Sequence, residues 1–389
     1  RLGGPRVLHC LTKKGKGYSP AENKPDVFHG IGPFQTSDGT VEKFDTTSFT
    51  EAFSNIIVNE AEKDSRLVAI TAAMAKGTGL TAFSHRFPER FFDVGIAEEH
   101  AVTFAAGLSK GGLIPLVCVY STFIQRAVDQ IIHDISIPNL PGIFVLDRSG
   151  AVPNDGETHQ GIFDIALFKC VPRISILAPA SAAELNLCLD WAAASKSACV
   201  IRYPKKSCPS ELPSFRKPLE IGKGVLIEAK EFAPSLFVRF NLKKGKIEDP
   251  SSAADGKAFK KVLIAATGSM FSECLVAARS LLLQDVLADI YNLRFLKPLD
   301  FDAFFDIYKN YDALVIVEDG IKQGGAGEEL ELEALKRNFR QVQVLAFGQN
   351  FPPQGSREQI LENAFLSPND IQRAALGLLN QAANYEKGE

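Results

Sequence analysis

The stretch Phe91–His100, FFDVGIAEEH, decides how this chain folds. Its first four residues are apolar or aromatic apart from Asp93, the make-up of a short strand. Gly95 follows, a residue that lets backbone approach closely. Glu98 and Glu99 then open an apolar-periodic run that reads as helix to about residue 110. A strand that passes through glycine into a helix is the repeating step of an α/β sheet, where side chains at the carboxyl ends of the strands face one cleft. Two blocks downstream repeat the step: Tyr120–Asp134 (YSTFIQRAVDQIIHD) and Asp155–Asp164 (DGETHQGIFD). Each follows an apolar strand and carries acid, base, cation or aromatic side chains, as the floor of an enzyme cleft would.

Working outward, the chain alternates predicted helix and buried strand from about residue 47. Helices are expected at 48–62, 98–110, 123–137 and 182–195, and strands at 67–71, 91–94, 113–119, 142–147, 174–178 and 198–203. The strands are short, apolar and rich in β-branched residues, so each is expected to be buried on both faces of a parallel sheet. Residues 204–260 turn polar, with Pro, Lys, Ser and Asp (KKSCPSELPSFRKP, KKGKIEDPSSAADGKAFKK), and read as a linker holding a small hairpin at 222–227 and 236–240. A second α/β unit follows, with strands at 261–266, 287–292, 313–318 and 341–346 and helices at 272–283, 301–308 and 326–337. It has few ionisable groups at its strand ends, which suits a structural or dimer-forming domain. The predicted fold class is therefore α/β, with two parallel-sheet domains at 45–205 and 261–389 joined by a linker at 206–260. Residues 1–44 read as an irregular tail, expected to finish a domain outside this sequence.

Composition narrows the function. With 46% hydrophobic and 23% charged residues among 389, the chain has globular composition and ample core. A net charge of −3, with Lys and Arg in short scattered clusters, leaves no basic stripe for nucleic acid. No apolar run approaches the ~18 residues of a membrane span. Seven Cys form no CxxC or Cys/His metal spacing, as expected of reduced thiols in a cytosolic protein.

The three blocks together resemble thiamine-diphosphate enzymes of the transketolase superfamily, and within it the wording is closest to the 1-deoxy-D-xylulose-5-phosphate synthase family. The resemblance extends from about Thr12 to the C-terminus. It implies a pyrimidine-binding domain followed by a transketolase-type C-terminal domain. It also implies condensation of pyruvate with glyceraldehyde 3-phosphate, in a homodimer that uses thiamine diphosphate and Mg2+.

Residue by residue, the resemblance assigns Glu98 the carboxyl that shares a proton with a ring nitrogen of the aminopyrimidine. Phe123 would stack on that ring, and Tyr18 would be a further cofactor contact. His159 and His29 match active-site histidines. Tyr120, Arg126, Arg148, Asp155 and Arg202 match substrate ligands, with the two last-named arginines on the acceptor's phosphate. Plainer readings stand beside these. First-turn acids such as Glu98 and Glu99 suit any helix dipole, one Phe among 28 is ordinarily core, and Arg148 could pair with Asp147 or Asp155. Glu99 stands where the family usually has Gln and is expected to point elsewhere.

The family holds the diphosphate through a divalent metal on a GDG…N segment, and no GDG occurs in these residues. No metal ligand is therefore expected here. The diphosphate-binding half, deleted or separately encoded, is the expected partner. A transketolase, a 2-oxo-acid dehydrogenase β-type subunit and a non-catalytic scaffold chain are the alternatives.

Overall fold

The structure is a computed structural model and describes residues 3–25, 27–28, 34–40, 46–243 and 260–387. Residues 1–47 and 48–389 form two compact units. In the first, helix Ser19–Asn23 starts with proline in its first turn. Tyr18 packs there against Phe28 and Phe34 at ring distances of 5.6 and 6.0 Å, and its hydroxyl donates to the Thr36 carbonyl at 2.9 Å.

The second unit is built on two sheets. The first holds β1 (Leu67–Thr71), β2 (Phe91–Asp93), β3 (Ile114–Tyr120), β4 (Gly142–Asp147), β5 (Ile174–Leu177) and β6 (Ala198–Arg202). The second holds β7 (Val225–Ile227), β8 (Lys261–Thr267), β9 (Leu287–Leu293), β11 (Ala313–Ile321) and β12 (Val342–Phe347), while β10 (Phe295–Lys297) returns to the first. The orders are β10-β5-β6-β4-β3-β1-β2 and β12-β11-β8-β9-β7. All pairs are parallel except β10 with β5 and β7 with β9, so both sheets are mixed at one edge. The central strands β1, β3, β4 and β6 are apolar and buried as expected, but β2 is an edge strand whose Phe91 and Phe92 are only half-buried and whose Asp93 is exposed.

Local rules explain the helices. Ser48 and Glu51 form a reciprocal capping box that starts helix Phe49–Lys63. Its Phe49, Phe53 and Ile57 pack on one face of the first sheet with Leu185 and Leu189 of helix Ala182–Ser195. On the other face lie Ala101, Val102 and Ala105 of helix Glu98–Lys110, in an apolar cluster that runs on to Leu263 and Tyr291 of the second sheet and to Leu330 of helix Ala326–Lys336. The two sheets thus share a core.

Two expectations need correction, and one strand had no expectation. The hairpin does not form. Val225–Ile227 pairs with β9, and residues 236–240 lie in helix Pro234–Lys243, because Leu236, Phe237 and Phe240 recur at helical spacing and turn inward. The helix expected at 123–137 is a succession of α, 3-10 and π turns from Ser121 to Ser136. The strand Phe295–Lys297 went unread because three residues carry too little periodicity. It docks on β5, and the Lys297 ammonium donates to the carbonyls of Phe168, Lys169 and Val171.

Candidate active site

Tyr120 closes β3 and pairs in register with Asp147, the last residue of β4, while Leu146 pairs with Arg202 at the end of β6. The carboxyl ends of three neighbouring strands therefore bring these residues to one edge, where open α/β sheets bind ligands. Glu98 enters from the side, at the first position of helix Glu98–Lys110, whose N-cap, Ala97, has no side chain with which to cap.

Glu98 is 2% exposed and accepts a hydrogen bond from Arg126 Nη1 at 2.7 Å, the arginine being 46% exposed. The Arg126 guanidinium also lies 4.8 Å from the ring centre of Phe123. Phe123 is half-buried, stacks on Tyr120 at 5.8 Å and meets the edge of His159 at 5.4 Å. Arg148 covers the other part of the platform, 3.8 Å from the Tyr120 ring centre. Its Nη1 donates to the Gly77 carbonyl at 2.8 Å and to Asp147 at 3.0 Å. Glu98, Arg126, Phe123, His159, Tyr120 and Arg148 thus form one unbroken cluster.

Burial raises the Tyr120 phenol above its ordinary value, and Arg148 partly offsets this. Asp147 is fully buried, and desolvation pushes its carboxyl up to about 6 despite its bonds from Arg148 and Thr50.

Other expected residues fare differently. Arg202 is fully buried between Asp164 and Asp319, its Nε and Nη1 each at 2.8 Å from a carboxylate, in an ion cluster that joins the ends of β6 and β11, while its Nη2 has no partner among the described residues. A cation inside an apolar strand does need a fixed anion, and two carboxylates supply it. Arg126, expected as a substrate ligand, is the partner of Glu98. Asp155 is paired with Lys205 at 2.6 Å. Glu99 is exposed. Tyr18 belongs to the other compact unit, and His29 lies outside the described residues.

Four contributors went unread: Thr50, Gly77, Lys205 and, except as an ion-pair partner, Asp147. Asp147 carried a signal, an acid ending an apolar strand in FVLDRSG. Thr50 and Gly77 carried none, since only the fold brings the start of helix Phe49–Lys63 and the loop after β1 to the end of β4.

A buried carboxylate beside a half-buried aromatic ring suits a flat heteroaromatic that presents a ring nitrogen, so the cluster fits the pyrimidine end of thiamine diphosphate. Among the described residues, no group of three or more His, Cys, Asp or Glu could hold a metal ion. Nor is any described helix long and apolar enough to cross a membrane.

Comparison with known proteins concerns the domains as wholes. Residues 45–210 match the transketolase pyrimidine binding domain, and residues 255–371 match the transketolase C-terminal domain. A 1-deoxy-D-xylulose-5-phosphate synthase of Treponema pallidum subsp. pallidum is 49% identical over 380 residues, 97% of this chain and 56% of that protein. One of Desulfotalea psychrophila is 39% identical over 386 residues, 97% of this chain and 55% of that protein. A solved structure described as a split gene transketolase, inactive beta4 tetramer, superposes with a TM-score of 0.70 at 25% identity, over 86% of this chain and 99% of that one. This chain spans about half the length of the curated relatives it matches. With its two sheets and both domain matches in the same order, the chain belongs to the transketolase family, of which it carries the pyrimidine-binding and C-terminal domains.

Proposed function

We propose that this chain supplies the pyrimidine side of a 1-deoxy-D-xylulose-5-phosphate synthase active site. The reaction releases the pyruvate carboxylate as carbon dioxide and joins the remaining two carbons to the aldehyde carbon of glyceraldehyde 3-phosphate. Thiamine diphosphate, when bound, supplies the nucleophilic carbon that carries the two-carbon unit. Its diphosphate and Mg2+ are held by a diphosphate-binding domain of the same or another chain, in a homodimeric assembly. The names of the relatives support the choice of substrates. The exposure of Val7, Leu8 and Leu11, 97%, 87% and 87%, supports a partner domain, since an extended apolar segment of this kind needs cover.

The residues of the cluster divide the work. Glu98 holds the proton shared with a ring nitrogen of the pyrimidine, and Arg126 keeps the carboxylate oriented. Phe123 carries the ring by stacking, an aromatic contact worth about 1 kcal/mol beyond its area. Arg148 binds the acceptor's phosphate through a planar charged fork, Tyr120 and Asp155 orient its hydroxyls, and His159 delivers the proton to its carbonyl oxygen. The observation that carries this reading is Glu98, buried at a helix start and joined through Arg126 to the Phe123 platform.

The test supplies the chain with a diphosphate-binding domain, thiamine diphosphate and Mg2+, then measures carbon dioxide release and ketose phosphate formation from pyruvate and glyceraldehyde 3-phosphate. Product that depends on both substrates is expected. Turnover of a ketose phosphate donor instead of pyruvate would favour a second reading, a transketolase subunit, to which the likeness with the split gene transketolase points.

A further inference from the structure

Asp147 is a fully buried acid at the end of an otherwise apolar strand, a costly place for a charge unless its bonds are specific. Both its oxygens are occupied: Oδ2 accepts from the Thr50 hydroxyl at 2.6 Å, and Oδ1 from Arg148 Nη1 at 3.0 Å. Thr50 comes from the first turn of helix Phe49–Lys63, 97 residues away in sequence, so its contact is a product of the fold. Arg148 has a φ of +60°, a left-handed conformation that costs a side chain about 1 kcal/mol or more unless its surroundings enforce it. The Arg148 guanidinium itself is held in a three-sided clamp: Asp147, the Gly77 carbonyl and the face of Tyr120. Only Nη1 of the guanidinium is used in hydrogen bonds among the described residues, which leaves Nε and Nη2 for a ligand.

We propose that Asp147 and Thr50 are positioning residues for the anionic group of the acceptor: together they hold the Arg148 guanidinium flat on Tyr120 with its other nitrogens unpaired. This rests on the reading that Arg148 binds the acceptor's phosphate. A bidentate fork recognises a phosphate only if its plane is fixed, so loss of the anchor weakens phosphate recognition without removing the arginine. Thr50 in turn fixes Asp147, because a carboxylate held at one oxygen alone can rotate about its terminal bond.

The experiment compares Asp147→Asn, Thr50→Val, Thr50→Ser and Arg148→Ala with the parent, in the enzyme assembled with its diphosphate-binding domain. The readouts are the apparent KM for glyceraldehyde 3-phosphate, for unphosphorylated glyceraldehyde and for pyruvate, with a melting curve for each variant. Asp147→Asn is expected to raise the KM for the phosphorylated acceptor about ten-fold and to lower the preference for it over glyceraldehyde by the same factor, with the pyruvate KM within about two-fold. Thr50→Val is expected to shift the same preference by about three-fold and Thr50→Ser to restore it, which keeps the test decisive if Asp147→Asn does not fold. The proposal is overturned if Thr50→Val and Asp147→Asn keep the parent's phosphate preference while Arg148→Ala loses it. If Arg148→Ala keeps the preference too, the phosphate reading of Arg148 fails first, and the proposal falls with it.

Discussion

Arg126 Nη1 sits 2.7 Å from Glu98 Oε1, so a buried acid and a half-exposed cation form a single unit. The bond ties helix Glu98–Lys110 to the irregular helical segment after β3. It also meets a charge that the apolar neighbours Ala101 and Val102 would otherwise leave unsolvated. Arg126→Met should therefore lower the stability of the chain by about 1–3 kcal/mol, the cost of leaving a buried carboxylate without its charge-assisted bond. Urea unfolding measures this. Glu98→Gln should lose less, because the amide oxygen still accepts from Arg126.

Arg202 is held by two buried carboxylates from different parts of the chain, Asp164 and Asp319. Arg202→Met should destabilise by roughly 3–5 kcal/mol, since both acids would be left buried and uncompensated. The double variant Asp164→Asn, Asp319→Asn in the Met background should recover much of that loss. A loss below about 1 kcal/mol for Arg202→Met would contradict this account of the ion cluster.

Glu318 gives the molecule a pH-dependent term. It is buried in the second sheet, where desolvation pushes its carboxyl up from 4.5 to about 7, and the bond from the Gly327 amide at 2.6 Å only partly offsets this. The folded state therefore holds this proton more tightly than the unfolded chain. No penalty arises below the unfolded value. It grows as pH rises and is complete above about 7, where the shift corresponds to on the order of 3 kcal/mol. Glu318→Gln cannot ionise. Its stability relative to the parent should rise by a comparable amount between pH 5 and pH 8, and a difference that stays flat with pH would rule the assignment out.

Gly77 is needed where it stands, because a Cβ there would lie 1.7 Å from the Tyr120 hydroxyl. Gly77→Ala should displace either the ring or the loop whose carbonyl anchors Arg148, and raise the acceptor KM by about ten-fold. Adding Tyr120→Phe removes the closest clashing atom and should recover part of the loss, so a double-mutant cycle ought to show coupling between the two positions. Strict additivity would contradict the contact.

The legible part of this fold was what local pattern controls. β4 and the helix Ala182–Ser195 fall at their expected bounds, and most of the remaining sheet strands fall within a residue or two. The cleft blocks were legible because strand ends carried the chemistry, and Glu98, Tyr120, Phe123, Arg148 and His159 do meet. What escaped depends on long-range pairing. β10 is three residues long and finds β5 across the sequence. Thr50 meets Asp147 across 97 residues of sequence, a contact that no local pattern announces. Arg202 illustrates the same limit: its strand position announced a buried anion, and that Asp319 supplies one follows only from how the second sheet docks.

The central claim is that Glu98 is the carboxyl that activates the cofactor, and deuterium exchange at the thiazolium carbon of bound thiamine diphosphate tests it most directly. The measurement uses the chain assembled with its diphosphate-binding domain and Mg2+, comparing the parent with Glu98→Ala and with Glu99→Gln, whose side chain is exposed. Loss of a positioned acid–base group slows such a step by about 10²–10⁴-fold, so exchange in Glu98→Ala should fall by that order while Glu99→Gln stays near the parent. Exchange in Glu98→Ala at the parent's rate, with the cofactor shown to be bound, would contradict the account.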